Sequence, residues 1–477
     1  MSYRKLQVWV TLFSLGIISQ SFAQLSGNYT IGGSGSRNYT SWELFAADFN
    51  KNGVSGPVLV EVKASLNLTT NIEFKQHSTN KTSSKNTLTI LGNNYQVKSS
   101  LDSEMIFLNG IDFLHLKKLK LLNESKNTRS VGIRLANGAD SNLIDSCTIL
   151  FSGITAHSVK DTGAYIAFAH DGKNLTAVGA NHNGKGNTIR GCVLTTSGSG
   201  ALAPIIGIID QQGRTEFTKT ASNNNIIGNQ IKNFFSIGIW IRYVNSDWID
   251  GNELSRSDAT SNDAIDTMVS GVYVRFAQSS SRSFKINNNH IFSLPYPSAN
   301  FQNMASGINV FLGVDAALIS GNSSVNAYIA GNVIEKNMIL GRIFGVFSQY
   351  GDRTELNGNI LRYNKSKSGY SYGIYANYGS DCHLQNNIVL SNDFGSSSSQ
   401  GVGALIFAYA VKNSNWNRMI VTGNQVDSNT SLEQIFGISL FQGGNWIVKS
   451  NRVADNKSSG TWGLACLLYT SPSTRDS

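Results

Sequence analysis

Four stretches align without a gap: GIWIRYVNSDWIDGNEL (238–254), GVFSQYGDRTELNGNIL (345–361), GIYANYGSDCHLQNNIV (373–389) and GISLFQGGNWIVKSNRV (437–453). In each, an Asn falls 14 residues after the leading Gly (Asn252, Asn359, Asn387, Asn451), and an aliphatic residue follows two positions later (Leu254, Leu361, Val389, Val453). The position after the Gly is also aliphatic, at Ile239, Val346, Ile374 and Ile438. Alternation with period two inside each stretch predicts short strands with one buried side. Looser copies start at Gly132, Gly163, Gly207, Gly271, Gly307 and Gly403, with Asn229, Asn289, Asn322 and Asn424 as their Asn equivalents and Cys147 and Cys192 in that place in the first two. Ten units spaced 28 to 44 residues apart describe a solenoid whose strands are constant and whose corner loops vary.

The recurring Asn has a physical reason. At a sharp corner a side-chain amide can bond both the turn backbone and the same amide one coil away. An inward polar group left unpaired costs about 1–3 kcal/mol, so the ladder must be satisfied along its length. Cys147 and Cys192 then extend the stack as small buried thiols, and the four cysteines of the chain show neither a disulfide framework nor zinc-site spacing. The fold expected is a single all-β right-handed parallel β-helix over 54–465, its hand following from the bias of parallel crossovers. Its N-terminal end is covered by residues 41–52, where Trp42, Phe45, Ala46 and Phe49 share one helical face between an N-cap at Thr40 or Ser41 and a stop at Gly53. Strands over 58–62, 87–91, 105–108 and 113–121 supply the first irregular coils.

The ends read differently. Residues 1–23 combine Arg4 and Lys5, an apolar run over 6–18 and Ser21-Phe22-Ala23, the pattern of a cleaved export signal. No later run reaches the length of about 18–20 apolar residues that a membrane span needs. From Cys466 the chain reads CLLYTSPSTRDS, which resembles a translated sequencing adapter, so 466–477 is expected to be foreign and 24–53 to form the N-terminal segment and cap. Only 14% of residues are charged, and the formal charge of +9 falls to +7 once Arg4 and Lys5 are removed. That mild basic excess favours anionic partners such as uronate polymers.

The GNYTIGG opening at 27–33, the helix followed by GVSGPVLVEV at 53–62 and the Gly-Asn-x-aliphatic coils resemble the secreted right-handed parallel β-helix repeat proteins of Gram-negative bacteria, the pectate-lyase-like superfold, many of which carry a type IX sorting domain. The resemblance implies the fold and a secreted or outer-surface location, while the fold itself hosts lyases, hydrolases, adhesins and tail spikes.

Function is therefore sought on the outward side chains. If the first and third residues after each Gly point inward, the second and fourth point out and stack from coil to coil. The second-position column includes Tyr165, Trp240, Tyr273, Phe347, Tyr375 and Leu405, and the fourth-position column includes Arg242, Arg275 and Phe407. Rings stack on sugar faces and Arg forks onto carboxylates or sulfates. Trp240, Arg242, Tyr273, Arg275, Phe347 and Tyr375 are the candidate ligand-binding residues, with the first four forming one exposed patch. Neither column carries an Asp or Glu, whereas a glycoside hydrolase needs two converging carboxylates. Binding of polysaccharide or another extracellular ligand, as in an adhesin, is the leading expectation, without catalysis, cofactor, metal or nucleic acid. The alternative is a lyase on an anionic uronate polymer, with Arg242 and Arg275 as cation and base and a faint likeness of SDWIDGN (246–252) to a pectate-lyase strand. His157, His170 and His182 lie in the insertion of the second coil at spacings that fit no metal motif.

Overall fold

The computed structural model describes residues 24–470 apart from 158–161, 169–182, 198–200, 212–221, 257–267, 276–282, 295–303, 312–325, 367–370, 395–401, 411–417 and 460–464 and shorter gaps at 243, 245–246, 340, 350–352, 380, 433 and 442–444. The expected export signal, His170, His182, Asn322 and residues 471–477 lie outside the described residues.

The chain is a right-handed parallel β-helix. One coil shows the plan: Ile237–Arg242 lies in face I, Trp248–Asp250 in face II and Glu253–Ser255 in face III, and the chain returns to face I at Met268–Arg275. Strands of one face pair in parallel and in register, with Ile239 on Val272, Ile249 on Ile286 and Leu254 on Ile291. All of these are fully buried, so the three faces enclose one continuous apolar core. Among the described residues, face I holds 13 strands, face II 15 and face III 13, and five two-residue strands make a face IV on the later coils.

The corners explain the motif. The residue before each ladder Asn takes a positive φ, as at Gly251 (62°), Gly358 (64°) and Asn288 (53°), which favours Gly and Asn there, although Ser450 holds the same corner before Asn451 at 56°. The ladder then runs from coil to coil. Asn359 Nδ2 donates to Asn387 Oδ1 at 3.0 Å and to the Ile329 carbonyl at 2.8 Å, while its Oδ1 accepts from Nδ2 of Asn332 at 2.9 Å. Asn332, not Asn322, is the rung after Asn289. A second ladder, Asn337, Asn364, Asn392, Asn429 and Asn456, repeats the device five residues later at the III–IV corner. A third, Asn142, Asn187 and Asn224, runs up the I–II corner of the early coils.

The cap forms as expected: Trp42–Asn52 is helical, the Ser41 hydroxyl accepts from Leu44 N–H, and Gly53 ends it at φ 63°. Trp42, Phe45 and Phe49 are buried against Phe74 and the first strands. Leu25–Ile31 pairs in parallel with Val54–Val62, so the segment before the helix already belongs to face II. The single strand read over 113–121 is two, Leu114–Lys117 and Lys120–Asn123, with Lys118 at φ 51° turning the corner between them. Ala465–Thr470, which includes the start of the segment read as foreign, pairs in parallel over Gln434–Phe441.

Two coils are misregistered in the sequence reading. Tyr165, not Gly163, stacks between Gly132 and Gly207, and Leu405, not Gly403, follows Gly373. Tyr165 and Leu405 were expected to face outward; both are fully buried in the core.

Candidate functional site

Face I bends at its glycines. Gly238 and Ile239 both face the core, which leaves Ile237 and Trp240 pointing outward on either side of them. A Cβ at Gly271 would lie 2.7 Å from the Gly307 carbonyl oxygen and 2.7 Å from Ile291 Cγ2, so the close approach of successive coils excludes a side chain there. Two outward positions per strand thus flank each glycine: the residue before it and the second residue after it.

In corrected register the second-position column runs Ala167, Ile209, Trp240, Tyr273, Asn309, Phe347, Tyr375, Phe407 and Ser439. Phe407 therefore belongs to this column rather than the fourth-position one, where Tyr409 takes its place. Trp240 pairs with Tyr273 and Arg242 with Arg275, so the four residues of the expected patch do lie side by side. The rings stack at 5.9 Å and 24°, and the Arg242 guanidinium sits 5.5 Å from the Trp240 ring centroid.

Exposure departs from expectation. Trp240 and Tyr273 are only 7% and 9% exposed, because they join Ile209, Ile237, Ile205 and Phe235 in a second apolar cluster on the outside of face I. His157 packs on Phe235 with ring centroids 4.3 Å apart and sits 2.9 Å from the Ala203 carbonyl through Nε2, so it serves this cover. Arg242 and Arg275 remain half-buried at its margin.

The later coils leave the strip more open. Phe347, Tyr375 and Phe407 are half-buried and stack in line, at 5.1 Å and 2° and then 4.9 Å and 10°. Phe344 and Tyr372, one residue before their glycines, form a parallel pair beside them at 5.2 Å and 16°. The sequence reading missed this second column, although its signal is the residue preceding each Gly. Both faces of Tyr375 are covered by its neighbours, so the ladder offers ring edges rather than free faces. Gln349, Asn377 and Tyr409 run alongside in the next column, and Asn377 Nδ2 donates to the Tyr375 hydroxyl at 2.9 Å.

Carboxylates sit elsewhere. Asp247 of the SDWIDGN stretch is fully internal, Ile249 is a core residue and Asn252 a ladder rung, so the coil plan accounts for that likeness. Asp247 is in fact the fourth rung of the I–II corner ladder, with an acid where Asn142, Asn187 and Asn224 precede it. Its Oδ1 accepts from Ser222 Oγ at 2.6 Å and Asn224 N–H at 3.2 Å, and its Oδ2 has no donor among the described residues. Asp210, third after Gly207 and inward, faces it, with Asn183 and Asn224 donating at 2.8 and 2.6 Å. Burial pushes Asp210 up to about 6; burial and then the Asp210 charge hold Asp247 well above the usual carboxylate range. One proton between the two carboxyls satisfies the pair. Among the described residues no group of three or more His, Cys, Asp and Glu side chains could hold a metal ion.

The sequence matches no family model, and no curated protein is similar to it. Solved structures similar to this chain include PfbA, a surface adhesin of Streptococcus pneumoniae (11% identity, TM-score 0.45, 73% of this chain and 86% of that one). The A-module of the mannuronan C-5 epimerase AlgE4 of Azotobacter vinelandii is similar at 10% identity and TM-score 0.42, over 90% of this chain and 95% of that one. The GH136 lacto-N-biosidase of Eubacterium ramulus is similar at 11% identity and TM-score 0.41, over 89% and 67%. All are distant in sequence.

Proposed function

We propose that this is an exported surface protein that binds polysaccharide along the outer side of face I without cleaving it. The observation that carries the reading is the strip itself: an aromatic floor of Phe347, Tyr375 and Phe407, a flanking column of amides and phenol at Gln349, Asn377 and Tyr409, and the in-register Arg242 and Arg275 further down. Ring edges and polar donors in rows suit a hydroxyl-rich polymer lying along the axis, and the Arg pair favours an acidic one. Among the described residues no helix is long and apolar enough to cross a membrane. A glycan array followed by electrophoresis through gels cast with alginate, pectin or a glycosaminoglycan tests the proposal. Retardation in at least one gel is expected, with no rise in the absorbance of unsaturated uronate. An empty array with unretarded migration in every gel overturns binding, and accumulation of unsaturated product overturns the non-catalytic part.

A further inference from the structure

The II–III ladder ends in two cysteines on successive coils. Thr148 pairs with Val193, and Val193 N–H donates to the Cys147 carbonyl at 2.9 Å, so Cys147 and Cys192 stack directly. Each thiol takes the donor role of a ladder amide: Cys147 Sγ donates to the Leu116 carbonyl at 3.5 Å and Cys192 Sγ to the Ile144 carbonyl at 3.6 Å, as Asn229 Nδ2 donates to Ile189 at 3.0 Å. The acceptor role is lost. Cys192 N–H still has Asn229 Oδ1 at 2.9 Å, but a thiol at 192 supplies no such oxygen to the coil below. Both thiols are fully buried, on successive coils of the one ladder. Stacked coils put their Cα atoms about 4.8 Å apart, inside the window of roughly 4.4–6.8 Å that a disulfide spans.

We propose that Cys147 and Cys192 are a modification site: they join in a disulfide that bolts two successive coils together across the long insertion between them. The chemistry is thiol–disulfide exchange with a small or protein disulfide, for which glutathione disulfide is the probe. One cysteine thiolate attacks the oxidant and releases one glutathione. The second attacks the resulting mixed disulfide, forms the S–S bond and releases the other glutathione. Two thiol protons are lost, and the two electrons reduce the oxidant. Because neither sulfur is accessible in the finished coil, exchange takes place before the coils close, and the completed bond is then shielded from reductant.

The test compares the full chain exported to a bacterial periplasm with the same chain made in a reducing cytosol, both alkylated in acid-quenched denaturant and digested. Expected from the exported protein are two alkylated cysteines, Cys382 and Cys466, and a linked peptide pair carrying Cys147 and Cys192. The cytosolic protein should show four alkylated cysteines. Without a denaturant, dithiothreitol should leave the bond intact. Cys147→Ser should free Cys192 and remove the difference in Tm between the two preparations. Four free thiols in the exported protein, or a bond from either cysteine to Cys382 or Cys466, overturns the proposal, and this mass measurement on the unaltered chain does not depend on how the variant folds.

Discussion

Asp210 and Asp247 face each other across the buried I–II corner, with Asn224 hydrogen-bonded to both. Both have folded-state pKa values above their ordinary range, Asp210 at about 6 and Asp247 held well above the usual carboxylate range by burial and then by the Asp210 charge, so the folded pair holds proton that the unfolded chain releases. The stability they contribute is fully present below about pH 4 and is lost as pH rises through 6 and beyond. A tenfold difference in proton affinity between the folded and unfolded chain is worth about 1.4 kcal/mol. Asp247→Asn restores the amide of the ladder and removes one ionisation. Its Tm should exceed that of the unaltered chain at pH 8 by several degrees and match it near pH 4. Melting curves across that range check this, and parallel curves for the two proteins would refute it.

A middle rung should matter more than the last one. Asn359→Ala removes the acceptor of Asn332 N–H and Nδ2 and the donor to the Ile329 carbonyl, all of them buried. At about 1–3 kcal/mol for each of the three groups left unpaired, the loss should be at least about 3 kcal/mol. Asn451→Ala at the upper end deprives Asn424 of the same acceptor, but Asn451 is only half-buried, so water replaces part of what is lost. Urea unfolding should show the Asn359 variant losing at least twice as much as the Asn451 variant.

The two kinds of glycine should respond oppositely to substitution. Gly271→Ala meets a carbonyl of the next coil and a core Ile, and overpacking of this kind costs about 1–3 kcal/mol. Gly228 has φ 61° with open space around its missing Cβ, and Asn288 and Asn386 hold equivalent corners at φ 53° and 54°. Gly228→Asn should therefore be close to neutral. Equal losses in thermal unfolding would show that the strand glycine and the corner glycine are not distinguished by space and φ.

How far the molecule could be read from its sequence follows from which signals repeat. The rungs at Asn229, Asn252, Asn289, Asn359, Asn387, Asn424 and Asn451 and core positions such as Ile239 and Leu254 follow the repeat, so they were legible, whereas the rung at Asn332 follows a long insertion and was placed ten residues early. Gly163 and Gly403 misled because a glycine stands two residues before the true bend, where the side chains of Tyr165 and Leu405 turn inward. The second ladder was legible in principle, since Asn364, Asn392, Asn429 and Asn456 each follow a first-ladder Asn by five residues. The same alternation, applied to Gly207, makes Asp210 internal, although it was not singled out as such. Its partner Asp247 sits in a corner of no fixed period, and only the fold brings the two together. Burial of Trp240 and Tyr273 was not legible, because it depends on Ile205 and Phe235 arriving from segments of variable length.

The last prediction concerns the two arginines. Arg242 and Arg275 stack in register at the margin of the outer cluster, and their column faces away from the core, so neutralising them removes charge without opening a cavity. Trp240 and Tyr273 are held by the surrounding apolar residues and stay in place. The charge of the pair reaches a polyanion over about 30 Å at 0.01 M salt but only about 10 Å at 0.1 M. The R242Q/R275Q protein should therefore lose retardation in acidic-polysaccharide gels several-fold at low ionic strength. The difference should shrink toward nothing as salt is raised, while retardation in neutral-glycan gels and the Tm hold near the parent values. Replacing Tyr375 by Ala instead breaks the stack between Phe347 and Phe407 and should weaken neutral and acidic glycans alike, with little dependence on salt. If the double arginine variant migrates as the parent does at every salt concentration, the acidic end of the strip has no part in binding; if Tyr375→Ala does the same, face I is not the binding surface.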